Sequence, residues 1–223
     1  MSRIFLYADS ADREAVGGLL ADRLVHGVTT NPTILRRAGL GADAAAELYR
    51  DWTGRGAAEV FFQATGVDAV AMEDAAVRIA DLGSGVVVKA PATSVGFPVA
   101  ARLAARGVPV LVTAVYSSAQ AVTAAAVGAR YIAPYLGRLD DSGADGLAVV
   151  REMVGLLAGT GTRPLVASVR SPERIVELLD AGVRHVMAAP AVLRAALLHD
   201  ASEAAAVAFE RDAGDDGTVS ARR

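Results

Sequence analysis

Residues 86–115, VVVKAPATSVGFPVAARLAARGVPVLVTAV, carry a complete strand, helix and strand. Two nearly unbroken apolar runs, at 86–91 and 108–115, bracket a helical segment that Ala105-Arg106-Gly107 brings to a stop, with glycine where a helix ends. Runs that do not alternate polar with apolar residues read as strands buried on both faces. Two such strands joined through a helix lie parallel, with a right-handed crossover.

The same rhythm recurs along the chain. Eight short apolar runs, at 4–9, 27–31, 59–63, 86–91, 108–115, 131–135, 165–169 and 185–189, alternate with longer amphipathic or alanine-rich segments. Asp9-Ser10-Ala11-Asp12 can cap the first helix and Ser117-Ser118 the helix after the fifth strand. Ser171-Pro172-Glu173 joins an N-cap to a proline in the first turn. Val127-Gly128 and Ala181-Gly182 repeat the glycine stop. Eight such units in 223 residues predict an α/β fold, a closed (β/α)8 TIM barrel, with a doubly wound open sheet as the alternative. Residues 1–211 then form one domain, the barrel plus an additional C-terminal helix at 201–211 that has little left to cover within it. The polar, glycine-containing stretch 212–223 is expected to be a flexible tail.

Composition narrows the function classes. The chain is 53% hydrophobic with only 5% aromatic residues, as alanine-rich helices around doubly buried strands require, and subunit contacts could absorb more of the apolar surface. A net charge of −3 gives no electrostatic case for nucleic acid or an anionic membrane. Without cysteine there is no disulfide framework, thiolate nucleophile or thiolate metal site. The N-terminal residues lack the apolar core of a signal peptide and no uncharged stretch is long enough to span a bilayer, so the cytoplasm is the expected location.

Lys89 is the only lysine; every other position among the 22 Lys+Arg is arginine. Arginine bias explains why lysines are few, but not why the one survivor follows three valines, where an unpaired charge costs several kcal/mol by order of magnitude. A buried amine can lose its proton and attack a carbonyl to form a Schiff base, which a guanidinium cannot. In an α/β barrel the reacting groups stand at the C-terminal ends of the strands. Those ends carry Asp9, Thr29-Thr30-Asn31, Gln63, Lys89, Thr113, Tyr135 with Arg138, and Ser168 with Arg170.

Together these residues resemble the transaldolase and fructose-6-phosphate aldolase family of class I aldolases. The matching segments are Tyr7-Ala8-Asp9-Ser10-Ala11, Gly27-Val28-Thr29-Thr30-Asn31-Pro32-Thr33, Val87-Val88-Lys89-Ala90-Pro91, Thr113-Ala114-Val115-Tyr116, Ala133-Pro134-Tyr135-Leu136-Gly137-Arg138-Leu139-Asp140-Asp141 and Ala167-Ser168-Val169-Arg170, in family order. The resemblance implies that Lys89 forms the Schiff base with the donor ketone. It also implies that Asp9 and Asn31 hold donor hydroxyls with Thr29 beside them, and that Arg138, Ser168 and Arg170 bind the acceptor's phosphate. It implies sugar and sugar-phosphate substrates and a homo-oligomer, commonly a decamer of two pentameric rings with the C-terminal helix reaching a neighbour.

Gln63 and Tyr135 resemble the aldolase branch, whose transaldolase counterpart has glutamate and phenylalanine there. Leu136-Gly137-Arg138-Leu139-Asp140-Asp141 looks more like the transaldolase branch. The phenol of Tyr135 can serve through a water as acid/base, with Gln63 and Thr113 placing that water. Plainer roles compete at five of these positions: Asp9 as a helix cap, Asn31 as a turn before Pro32, Thr29 as a structural residue whose hydroxyl satisfies nearby backbone, Arg138 paired with Asp140 or Asp141, and Arg170 facing solvent. A barrel that binds sugar phosphates without catalysis is the rival from another class, and loss of the amine would be its mark.

His26, His185 and His199 lack metal-ligand spacing and read as structural or exposed. Asp43, Glu47 and Asp51 read as a solvated helix face, and Gly39-Leu40-Gly41 lacks the strand and third glycine of a dinucleotide site. No metal and no cofactor is expected.

Overall fold

The computed structural model describes residues 3–215. Eight parallel strands close into a barrel in chain order: β1 (Phe5–Asp9), β2 (Gly27–Thr29), β3 (Glu59–Gln63), β4 (Val86–Pro91), β5 (Val110–Val115), β6 (Tyr131–Pro134), β7 (Arg163–Val169) and β8 (His185–Ala188). The closure of β1 against β8 excludes the open-sheet alternative. The helices are α1 (Arg13–Ala21), α2 (Pro32–Arg37), α3 (Ala45–Gly54), α4 (Ala69–Ala80), α5 (Gly96–Ala105), α6 (Ser118–Ala126), α7 (Leu136–Asp141), α8 (Gly146–Leu157), α9 (Pro172–Asp180), α10 (Pro190–Ala195) and α11 (Asp200–Asp215). The last of these continues four residues past the expected end at Arg211; the rest of the expected flexible tail lies outside the described residues.

Strand ends differ from expectation where a side chain takes over backbone duties. β2 stops at Thr29 because the Asn31 carboxamide accepts from the Ile34 amide at 3.0 Å and caps α2, with Pro32 in its first turn. β5 starts at Val110 because Pro109 has no N–H to give to a ladder, although its carbonyl still accepts from Val88. The expected stops Gly107, Gly128 and Gly182 all sit at positive φ, 76°, 81° and 93°, as a helix-ending turn requires.

Parity organises the barrel. Odd-numbered strand residues point inward: Tyr7, Phe61, Val87, Leu111, Tyr131, Ala133, Leu165 and Met187 form one enclosed cluster. Their even-numbered neighbours, among them Val28, Val60, Phe62, Val86, Val88, Val112, Ile132 and Val186, pack outward into two clusters shared with the helices. This is why the strands read as unbroken apolar runs. At the N-terminal end of the interior, the buried Glu59 carboxylate accepts from Tyr7 at 2.8 Å and Tyr131 at 3.1 Å and pairs with Arg130 at 2.9 Å. His185 stands 3.2 Å from the Tyr7 hydroxyl, and burial first, then nearby arginines, hold it down to about 4. Gly27 belongs to this packing, since a Cβ there would meet the Glu59 carbonyl at 2.2 Å. His185 is therefore structural, and the His26 Nε2 stands 3.8 Å from the same Glu59 carboxylate.

Two positions break parity. Register shifts occur between Thr113 and Val115 on β5 and between Val166 and Val169 on β7. The extra residues, Ala114 and Ser168, take left-handed backbone at φ 58° and 59°. After each bulge the odd-numbered residue, Val115 or Val169, packs outward, so both Thr113 and Ala114, and both Ala167 and Ser168, reach the interior.

Left-handed backbone inverts the ordinary strand preferences. Ala114→Gly should be neutral or stabilising by up to about 1 kcal/mol, whereas Ala114→Val should cost about 1–3 kcal/mol. Urea midpoints of the two variants check this. A strand-like order, with valine the more stable, would contradict the bulge.

Candidate active site

Above the apolar interior cluster, the C-terminal strand ends enclose a cavity of about 540 Å³. Eight of the ten residues expected at the site line it: Asp9, Asn31, Gln63, Lys89, Thr113, Tyr135, Arg138 and Ser168. A larger cavity of about 740 Å³ opens beside α1 and the N-terminal end of β1, lined by Arg3, Leu24, His26 and Arg55 among others, but it holds no amine or hydroxyl side chain. Volume alone does not locate the chemistry here.

Lys89 projects inward from β4, in register with Gln63 on β3 and Leu111 on β5. It is 1% exposed. Burial pushes its pKa down from the ordinary lysine value, against a smaller upward push from the Asp9 carboxylate. Both effects follow from position, because a charged amine above an apolar floor loses its hydration and regains only part of it through one carboxylate. Asp9 is held in place by a 2.5 Å hydrogen bond from the Thr29 hydroxyl. It is not a helix cap: that task falls to Asp12, whose carboxylate accepts from the amides of Glu14 and Ala15 at 3.0 Å. Asn31 does both jobs, since its carbonyl oxygen caps α2 while the residue lines the cavity.

Across the cavity, the Tyr135 hydroxyl lies 3.0 Å from the Thr113 hydroxyl. Burial raises the Tyr135 phenol above its ordinary pKa, with the Thr113 hydrogen bond opposing and Asp9 adding to the rise. At neutral pH it is therefore a protonated group able to donate. Arg138 stacks over the Tyr135 ring at 4.9 Å and donates to the Tyr116 hydroxyl at 3.4 Å.

Two expected contacts are not in the cavity. Thr29 is fully buried and spends its hydroxyl on Asp9, with the Met187 sulfur 3.3 Å away, so it positions a site residue from behind the wall. Arg170 turns outward and donates to Asp141 from both terminal guanidinium nitrogens, at 2.7 and 2.6 Å. Asp140 pairs with Arg174. Both carboxylates expected to compete for Arg138 are thus occupied by other arginines, and Arg138 is left to the cavity.

The chain matches the family model described as transaldolase/fructose-6-phosphate aldolase over residues 6–220. It belongs to the transaldolase/fructose-6-phosphate aldolase family. A probable transaldolase of Nitrosopumilus maritimus is 33% identical over 211 residues, covering 93% of each chain. Another, of Rhodospirillum centenum, is 35% identical over 210 residues, covering 92% of this chain and 89% of the relative. Solved structures with a similar course include thiamine phosphate pyrophosphorylase from Pyrococcus furiosus, with TM-score 0.62, 17% identity and coverage of 85% of this chain and 87% of that one. Mandelate oxidase superposes with TM-score 0.58 at 17% identity, over 87% of this chain and 67% of its own. These likenesses concern the barrel alone. Like the rest of its family, the protein is an enzyme of the aldolase and transaldolase type. Among the described residues, no helix is long and apolar enough to cross a membrane and no group of three or more His, Asp or Glu is placed to hold a metal ion.

Some lining residues escape a reading of strand ends. Met187 follows from parity on β8, once the barrel register is known. Ala114 enters only through the bulge. Arg37, at the end of α2, reaches the cavity because that helix is short and lies at the mouth, and nothing in its local sequence signals this.

Asp9 is the charge that props up the Lys89 ammonium, so Asp9→Asn should lower the pKa of Lys89 further. The amine is reactive above its pKa, and the acidic limb of imine trapping should accordingly move to lower pH. Acetone with borohydride reads this without involving hydroxyl contacts, and an unmoved or alkaline-shifted limb would overturn the coupling.

Proposed function

We propose that this family member is a cofactor-free class I aldolase that reversibly joins dihydroxyacetone, or a related hydroxyketone, to glyceraldehyde 3-phosphate, as fructose-6-phosphate aldolase does. The observation that carries this is the solitary amine of Lys89, desolvated at the foot of a polar cavity and facing the Tyr135–Thr113 hydroxyl pair.

In this mechanism the neutral Nζ adds to the donor carbonyl, and the carbinolamine takes up one proton from solvent and loses water, giving a protonated imine. The imine withdraws electrons from the neighbouring hydroxymethyl carbon. That carbon gives a proton to a water held by Gln63, Thr113 and the Tyr135 phenol, which passes it to solvent, and an enamine is left. The enamine carbon attacks the acceptor aldehyde, a carbon–carbon bond forms, and the new alkoxide takes a proton. Hydrolysis returns ketose and amine. Asp9 and Asn31 face the hydroxyls of the donor, while Arg138 and Ser168 face the acceptor's phosphate, a charge-assisted role suited to a guanidinium.

A second reading within the family is transaldolase proper, which passes the dihydroxyacetone unit between sugar phosphates. Two observations favour it: the relatives carry the name probable transaldolase, and 136–141 resembles that branch. Against it stand Gln63 and Tyr135. The amine itself weighs against a sugar-phosphate-binding barrel without catalysis. A homo-oligomer, decameric by family resemblance, is part of the proposal. Leu197, Leu198, Val207 and Phe209, all more than half exposed beside or on α11, give a neighbouring chain something to cover. A cytoplasmic location belongs to it as well.

The experiment compares donors. Product formation from free dihydroxyacetone and glyceraldehyde 3-phosphate is measured against transfer from fructose 6-phosphate to erythrose 4-phosphate. Lys89→Arg should abolish both and with them the single borohydride-trapped adduct; activity surviving in that variant ends the Schiff-base reading. Tyr135→Phe should suppress use of free dihydroxyacetone by about 10²-fold and spare transfer, because only the free ketone must give up a proton to that relay. If the parent enzyme uses no free hydroxyketone at all, transaldolase replaces aldolase as the assignment.

A further inference from the structure

Arg170 is paired with Asp141 at the surface and does not line the cavity, so one of the cations that family resemblance assigns to the acceptor's phosphate is not among the cavity's walls. Four charged side chains line the cavity: Asp9, Arg37, Lys89 and Arg138. Lys89 reacts as the neutral amine, so without Arg37 the carboxylate of Asp9 cancels Arg138 and a phosphate dianion enters a cavity with no net positive charge. Arg37 makes the difference. We propose that Arg37 is the second phosphate-binding residue for the acceptor, supplying from the side of the mouth opposite Arg138 the cation that Arg170 does not bring to the cavity; the inference rests on the aldolase or transaldolase reading above.

The topology puts it there. Arg37 ends α2, which starts directly after β2, and Arg138 lies on α7, directly after β6. In the closed ring of eight strands, β2 and β6 are four apart and stand on opposite sides of the mouth. Both guanidiniums are exposed at that mouth, while Lys89 is buried below it. A substrate bound covalently at Lys89 extends upward, and its distal phosphate emerges between the two arginines. Among the described residues Arg37 has no ion-pair or hydrogen-bond partner of its own, so binding phosphate breaks no existing contact. A plainer role is available, because arginine in a last helical turn favours the helix dipole. Arg36 meets that need equally well, being adjacent and in the same turn, yet it does not line the cavity.

That pair supplies the control. Arg37→Ala should lower kcat/KM for glyceraldehyde 3-phosphate by about 10–100-fold, mainly through KM, and leave unphosphorylated glyceraldehyde within about 2-fold. Binding of inorganic phosphate, followed by calorimetry, should weaken by about 10-fold in the same variant, which reads the site whichever of the two reactions the enzyme performs. Arg36→Ala should show no discrimination between acceptors. Equal losses for both acceptors, unchanged phosphate affinity, or a phosphate-selective loss in Arg36→Ala or Arg170→Ala instead would each overturn the role of Arg37. Borohydride trapping of dihydroxyacetone on Lys89 is run alongside. Failure to trap in the parent protein strikes the Schiff-base reading, whereas normal trapping with no phosphate-selective loss in Arg37→Ala removes this inference alone.

Discussion

A strand in a closed parallel barrel can show the interior only every second residue, and that constraint governs both the core and the active site. Along β4 the same parity that sends Val87 into the enclosed cluster sends Lys89 inward one level higher. Along β3 it carries Glu59, Phe61 and Gln63 to three successive levels: a polar base, an apolar middle and the floor of the cavity. The barrel is thus stratified. Its lower carboxylate is satisfied by two phenols and an arginine and is structural, whereas its upper polar level is left open to a ligand.

The apolar middle level bears directly on the chemistry. It denies water to Lys89 from below, and a desolvated amine holds its proton less tightly. One carboxylate nearby, Asp9, tempers the effect, and Thr29 fixes that carboxylate from outside the cavity. The same barrel course in thiamine phosphate pyrophosphorylase and mandelate oxidase, at 17% identity, shows that closure by itself selects no reaction. In this chain the inward residues of the upper level are the polar ones that line the cavity.

The bulges of β5 and β7 are the exception to parity, and both lie next to β6, which leads into Tyr135. Left-handed backbone at an alanine and a serine costs energy that a regular strand would not. In return, two adjacent residues of each strand face the cavity, and Ser168 gains access that its even number would otherwise deny it. The bulges lie at the rim of the cavity, not at the structural base of the barrel.

The amino-acid sequence determined the βα rhythm, the closed barrel and the amine, because each is written in local patterns: unbroken apolar runs, glycine stops, and one lysine after three valines. It also placed eight of the cavity's residues, since strand ends converge in any barrel of this kind. Division of labour among the charged groups was settled only in three dimensions. Asp9 and Asp12 both stand where a cap could, and the start of α1 at Arg13 gives the cap to Asp12. Of the three arginines only Arg138 lies near Asp140 and Asp141 in sequence, yet packing gives those carboxylates to Arg174 and Arg170 and turns Arg138 to Tyr116 and Tyr135. Arg37 carries no local signal at all. Ion pairing and approach to a cavity depend on distances between elements far apart in the chain, and those distances exist only once the barrel has closed.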